Sequence, residues 1–209
     1  MHQTPILWSF RRCPYAMRAR LAVQSSGQTV ELREILLRDK PAAFLAASAS
    51  GTVPCLDAQG HVIDESFDIM RWALAQDDPQ GWLNMPKAGF ALIEECDGPF
   101  KSALDRYKYF TRHPDGTRAK AQAEGAEYLH KLNKSLADGD WLYGSQSLAD
   151  MAILPFVRQF ANTDRAWFDA QDWPDVLGWL NRFTDSRDFA AIMTKYTPWQ
   201  EGADRVNFP

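Results

Sequence analysis

The sequence predicts an α/β unit followed by an all-α unit, and three observations carry that reading. Short apolar runs and helical patterns alternate as far as residue 75. A polar, turn-rich stretch, Gln76-Asp77-Asp78-Pro79-Gln80-Gly81, then interrupts them. Beyond it, every periodic segment has the three- and four-residue spacing of a helix. These signals place a first domain at 1–75, a linker at 76–86 and a helical domain at 87–209.

The elements of the first unit follow in order. Pro5-Ile6-Leu7-Trp8 reads as a buried strand, and a helix follows over 14–26, with Tyr15, Ala19 and Ala22 on one face. Gly27 supplies its left-handed stop. Residues 30–35 alternate partially, as a second strand, and helical composition returns over 41–47 after the loop Arg38-Asp39-Lys40. The order β, α, β, α begins a parallel sheet with helical crossovers. Val53-Pro54-Cys55-Leu56 and His61-Val62-Ile63 then read as an antiparallel hairpin around Asp57-Ala58-Gln59-Gly60, a loop of about four residues. A helix carrying Phe67, Met70 and Leu74 completes the order β-α-β-α-β-β-α.

In the second unit, Ile93, Cys96, Phe100, Leu104 and Tyr107 recur at helical spacing, and Gly98-Pro99 predicts a kink among them. His113-Pro114-Asp115-Gly116 reads as a turn, and residues 117–136 as the next helix. Ser147-Leu148-Ala149-Asp150 is a capping-box variant opening an apolar helix over 148–160, which Pro155 should bend. Trp173-Pro174 starts a helix carrying Leu177, Leu180 and Phe183, and a short helix is expected over 188–196.

Composition excludes several functions. The 209 residues carry a formal charge of -4, which argues against nucleic-acid binding through a basic surface. No apolar run approaches the ~20 residues that span a bilayer, and no charged segment followed by an apolar one opens the chain, so the expectation is a soluble, cytoplasmic protein. Cys13, Cys55 and Cys96 are an odd set that suits a reducing compartment better than a disulfide framework. His2, His61, His113 and His130 are scattered without ligand-like spacing, so no metal site is expected.

The stretch that carries chemistry is Trp8-Ser9-Phe10-Arg11-Arg12-Cys13-Pro14-Tyr15-Ala16. Proline suits the first turn of a helix, where its missing N–H costs nothing. Cys13 is thereby placed at the cap, where unpaired N–H groups and the positive end of the helix dipole favour an anion. A thiolate in such a place can titrate well below the free value of about 8.5, and Arg11 and Arg12 act in the same direction. For a lone cysteine, a buried and inert thiol is the competing reading.

The order of elements and the residues at their junctions resemble the cytosolic glutathione transferase superfamily, in which a thioredoxin-like β-α-β-α-β-β-α domain precedes an all-helical one. The resemblance covers nearly the whole chain. Arg12-Cys13-Pro14-Tyr15-Ala16 is similar to the Cys-Pro-Phe/Tyr-Ala motif of the omega class and to the Cys-Pro-Tyr-Cys motif of two-domain glutaredoxins. Thr52-Val53-Pro54 resembles the family's cis-proline loop, and Glu65-Ser66 its glutamyl-binding pair. Lys40 falls where the omega class has a glutathione-contacting lysine, and residues 147–150 match the capping box of the family's buried helix. Gln146 departs from that pattern, being polar where an apolar staple residue is common.

The resemblance implies glutathione as co-substrate, Cys13 as nucleophile, and Lys40, Val53, Pro54, Glu65 and Ser66 as its binding set. Val53 would pair through its backbone with an extended peptide, as an added strand does. Ser66 begins a helix that can receive a carboxylate, and Glu65 can face an ammonium. Lys40 could pair with the glycyl carboxylate or remain a solvated surface lysine. Ala16 stands where a dithiol glutaredoxin has its second cysteine, which favours a monothiol cycle. Cys55 and Cys96 read as packing residues. The second substrate, a small electrophile or disulfide, would meet Phe100, Tyr107, Tyr109 and Phe110, although aromatics at this spacing also form cores.

Thiol transfer, dehydroascorbate reduction and deglutathionylation are all compatible with such a site. Conjugation of glutathione to electrophiles, with Ser9 or Tyr15 activating its thiol, is the alternative, and a non-catalytic partner-binding scaffold is a third reading from another class. The family habit makes a homodimer possible.

Overall fold

The computed structural model describes residues 4–113 and 117–209. They form two compact units, one of residues up to 80 together with 186–209, the other of residues 81–185.

The first unit runs β1 (Ile6–Ser9), α1 (Pro14–Ser25), β2 (Val30–Glu34), α2 (Ala42–Ala47), β3 (Cys55–Ala58), β4 (His61–Ile63) and α3 (Ser66–Gln76). This is the β-α-β-α-β-β-α order that the sequence predicts. β1 and β2 are parallel, with Ser9 opposite Glu34. β3 is antiparallel to β1, with Cys55 opposite Trp8, and β4 is antiparallel to β3. Helices α1 and α3 pack together.

The hairpin loop is tighter than expected. Asp57 and Ala58 pair with Val62 and His61, leaving Gln59 and Gly60 as a two-residue turn at φ 61° and 90°. Polar Asp57 hid its strand position because its carboxylate serves the turn, accepting the Gly60 N–H at 2.7 Å.

The second unit contains α4 (Ala88–Glu95), α5 (Lys101–Lys108), α6 (Arg118–Ser135), α7 (Leu148–Ala161), α8 (Arg165–Asp169) and α9 (Pro174–Thr184). Between α4 and α5 lies one π turn, Cys96–Phe100, and this is the form the expected Gly98-Pro99 kink takes. Pro99 cannot donate to the helical ladder, and the wider turn accommodates it. A 3-10 turn, Phe110–Arg112, follows α5. Residues 114–116 of the expected turn lie outside the described residues.

The capping box at α7 is present as predicted, and α7 continues through Pro155. Asp150 accepts the Ser147 N–H at 2.9 Å and hydroxyl at 2.5 Å, the Leu142 N–H at 3.0 Å and the Trp179 indole N–H at 2.9 Å. Burial pushes its carboxyl above the ordinary range, against the pull of those donors. Phe160 of α7 packs against the rings of Phe100 and Tyr107, and Tyr128 packs against Phe100. Gly125 of α6 permits this approach, since a Cβ there would sit 2.4 Å from the Phe160 ring.

The end of the chain corrects the expected boundary at 87–209. Residues 186–209 pack with the first unit: α10 (Arg187–Ile192) lies against α1, and β5 (Asn207–Phe208) is antiparallel to β2. The sheet order is β4-β3-β1-β2-β5. A two-residue strand carries no readable period, so only the open edge of β2 reveals where this segment belongs. Trp199 in the segment packs edge-on to Trp8, with ring centroids 5.0 Å apart, and donates its N–H to the Glu34 carbonyl at 2.7 Å. Among the described residues, no helix is long and apolar enough to cross a membrane.

Candidate active site

Cys13 is the cap residue of α1, with extended backbone at φ -76° and ψ 123° and Pro14 in the first helical turn. The preceding loop closes through the Cys13 N–H donating to the Phe10 carbonyl at 2.9 Å. The half-buried thiol donates to the Val53 carbonyl at 3.6 Å. Val53 precedes a cis peptide bond to Pro54, and both residues lie ahead of β3. The structure thus brings together two residues forty positions apart that the sequence had assigned to one site. Ala16 is fully buried and gives Cys13 no second thiol in its own motif.

The Cys13 loop is held from beneath by charges that sequence reasoning missed. Glu34 accepts the Arg11 backbone N–H at 2.7 Å and forms a buried ion pair with Arg20. Arg20 donates to Ser9 Oγ at 2.8 Å and to the Ile192 carbonyl at 3.0 Å, while the Arg11 guanidinium reaches the Met193 carbonyl at 3.2 Å. Burial lowers the Arg20 pKa, and Glu34 opposes that shift. The signal was an arginine on the apolar face of α1, whose burial demands a counter-charge. Ser9 is fully buried beneath this network, so the hydroxyl expected to activate glutathione is turned inward. Tyr15 is half-buried, with the Arg18 guanidinium 5.8 Å from its ring centre.

A second wall runs from Ser48 to Val53. Exposed Lys40 donates to the Gly51 carbonyl at 2.9 Å, and Gly51 adopts φ 62°, which favours glycine. Asp64 ties this loop to the head of α3, accepting the Ser48 hydroxyl at 2.8 Å and the Ser50 N–H at 3.3 Å. Burial works against its ionised form, but hydrogen bonds from Ser48, Cys55 and the Ser50 and Ala49 backbone outweigh it, and its carboxyl lies below the usual range. Glu65, next in sequence, is the exposed cap residue of α3, and Ser66 is its buried first residue.

Cys55 is fully buried among Trp8, Ile35, Phe44 and Val53. Burial, followed by its contact with Asp64, pushes its thiol up to about 12. Cys96 is buried in the helical unit, and no disulfide joins the three cysteines. Phe100 and Tyr107 are each 1% exposed and pack in the aromatic core, and Phe100 also forms part of the wall of a cavity lined by Glu95, Arg106 and Tyr128. Their helical stripe faces inward, whereas Tyr109 is half-buried and Phe110 is 46% exposed at the end of α5. Among the described residues, no cluster of three or more His, Cys, Asp or Glu side chains is placed to hold a metal.

Comparison with known proteins places both units in one family. Residues 7–81 match the family model "Glutathione S-transferase, N-terminal domain", and residues 102–186 match "Glutathione S-transferase, C-terminal domain". Protein IN2-1 of Zea mays is 30% identical over 195 residues, covering 89% of this chain and 78% of that protein. Glutathione S-transferase omega-1 of Rattus norvegicus is 38% identical over 165 residues, covering 73% of this chain and 66% of that protein. In structure, a Pseudomonas fluorescens glutathione transferase family member with two glutathione bound superposes with a TM-score of 0.78 at 16% identity, covering 92% of this chain and 93% of its own.

Proposed function

The chain belongs to the glutathione transferase superfamily, and from that premise we propose that it is a cysteine-type, omega-like enzyme that transfers thiols with glutathione as co-substrate. The observation that carries the reading is the thiol of Cys13 at the cap of α1, directed at the Val53 carbonyl. A helix N-terminus favours the thiolate over the thiol, and the thiolate is the nucleophile.

The residues of the expected binding set suit glutathione. Val53 offers backbone groups for the cysteinyl part of an extended peptide. Ser66 opens the eleven-residue helix α3, where orphan N–H groups can receive the γ-glutamyl carboxylate, and exposed Glu65 can receive its ammonium. Lys40 is in reach of the loop that ends at Val53 and can neutralise the glycyl carboxylate. The bound glutathione of the Pseudomonas fluorescens relative supports this ligand.

In the first step, the Cys13 thiolate attacks the glutathione sulfur of a glutathionylated substrate. The substrate S–S bond breaks, its thiolate leaves and takes a proton, and Cys13 holds glutathione as a mixed disulfide. A second glutathione thiolate then attacks that sulfur, releasing oxidised glutathione and restoring Cys13. The net exchange converts the glutathionylated substrate and one free glutathione into the substrate thiol and oxidised glutathione, with Cys13 restored. Ala16 is why the second glutathione is needed, since it leaves the motif without a resolving thiol. The cycle suits a reducing cytoplasm, and a homodimer is the assembly to look for by sedimentation.

The test is a thiol-transfer assay with a glutathionylated peptide or 2-hydroxyethyl disulfide. Cys13→Ala should reduce the rate to the uncatalysed background while Cys96→Ala retains activity. A Cys13→Ala protein as active as wild type would overturn the reading. If it then conjugated glutathione to an aromatic halide, the Tyr15 alternative would take its place.

A further inference from the structure

The proposed cycle leaves Asp64 without a role, yet its carboxylate gathers more of the site's backbone than any residue assigned to it so far. Asp64 follows β4 by one residue and precedes Glu65-Ser66. It receives Ser48 Oγ–H at 2.8 Å, the Ser50 N–H at 3.3 Å and the Cys55 thiol. The two serines extend its reach. Ser48 Oγ accepts the Gly51 N–H at 3.0 Å, and Ser50 Oγ accepts the Thr52 N–H at 3.2 Å and pairs with the Thr52 hydroxyl at 2.8 Å.

One carboxylate therefore organises the amides of residues 50, 51 and 52, the three positions that lead into Val53. From the other side the same carboxylate adjoins the head of α3. Hydrogen bonds to an ionised acceptor are roughly twice as strong as neutral ones. Short polar loops with φ above zero at a glycine have few apolar contacts to hold them, so such bonds decide their conformation.

We propose that Asp64 is a positioning residue that sets the Val53 backbone and the Glu65-Ser66 helix start at the mutual geometry an extended γ-glutamyl peptide requires. The inference rests on the reading of glutathione as co-substrate. Asp64 touches neither the peptide nor the reacting sulfur, and it acts through Ser48, Ser50 and Cys55.

The test uses the full chain as wild type, Asp64→Asn and Asp64→Glu. Two quantities are read: glutathione affinity by calorimetry, and hydrogen exchange at residues 50–52 against the rest of the first unit. Asparagine turns an NH2 group toward a ring of donors, whereas glutamate keeps the charge. Asp64→Asn should weaken glutathione binding on the order of tenfold, about the worth of one hydrogen bond to a charged acceptor. It should also accelerate exchange at residues 50–52, and Asp64→Glu should recover part of the affinity.

Unchanged affinity in Asp64→Asn overturns the proposal. So does weaker binding accompanied by faster exchange throughout the first unit, which would make Asp64 a general stabiliser. If wild type binds no glutathione, the substrate reading falls by itself, and exchange decides the rest. Acceleration confined to residues 50–52 upholds the positioning role, and its absence removes it.

Discussion

Two carboxylates, Asp64 in the first unit and Asp150 in the second, are each surrounded by hydrogen-bond donors, and they titrate in opposite directions. Asp150 is fully buried, and the loss of hydration outweighs its donors and raises its pKa. Asp64 keeps part of its hydration, and a comparable set of donors lowers its pKa. The number of hydrogen bonds is thus a poor guide to what a carboxylate does, and its remaining contact with water decides. The buried one serves the fold, fastening α7, the residue 142 backbone and Trp179 of α9. The wetter one holds a surface loop that leads to Val53, whose carbonyl faces the Cys13 thiol.

That contrast breaks first at Asp150. Asp150→Ala leaves the Trp179 indole, the Leu142 N–H and the Ser147 N–H without their acceptor, and urea unfolding should show a loss of about 3–5 kcal/mol. Glu34 combines burial with proximity to the site. Glu34→Gln strands the Arg20 charge and should cost about 2–3 kcal/mol in the same measurement, together with slower reaction at Cys13 as the Arg11 amide loses its anchor. Asp64→Ala should cost only about 1 kcal/mol of stability, because part of its donor set reaches water. A loss there as large as that at Asp150 would erase the distinction.

The pH dependence sharpens the same comparison. Asp150 binds its proton more tightly folded than unfolded, so its contribution to stability falls as pH rises from about 3.8 through its raised folded value. Asp64 binds its proton less tightly folded, so its contribution is present above about 3.8 and is lost as pH falls through its lowered folded value. Carboxyl-carbon chemical shifts followed from neutral pH downward should show Asp150 protonating before Asp64. The reverse order would contradict the assignment of burial as the deciding factor.

What the sequence shows well is whatever acts over a few residues. Pro14 after Cys13, the Ser147-Asp150 box and Trp173-Pro174 are local signals, and the structure has each where its spacing places it. Contacts made by tertiary register are not legible in that way. Ser9 and Glu34 become neighbours only because β1 and β2 are parallel, and Arg20 meets both only once α1 lies over them. The Asp64 set spans residues 48 to 64 across a loop, two strands and a turn, with no period to announce it. Phe100 and Tyr107 were ambiguous for another reason, since one helical stripe serves equally for a core and for a pocket wall, and Phe100 is both buried and part of a cavity wall.

The central claim is that Cys13 is the thiol that reacts with glutathione, while buried Cys55, its pKa pushed up to about 12, does not. The most direct measurement is the intact mass of the native protein after incubation with oxidised glutathione, with Cys13→Ala alongside. The account predicts a single glutathione adduct on wild type, reversed by reduced glutathione, and none on Cys13→Ala. A wild type that gains no adduct, or a Cys13→Ala protein that still gains one, would contradict it.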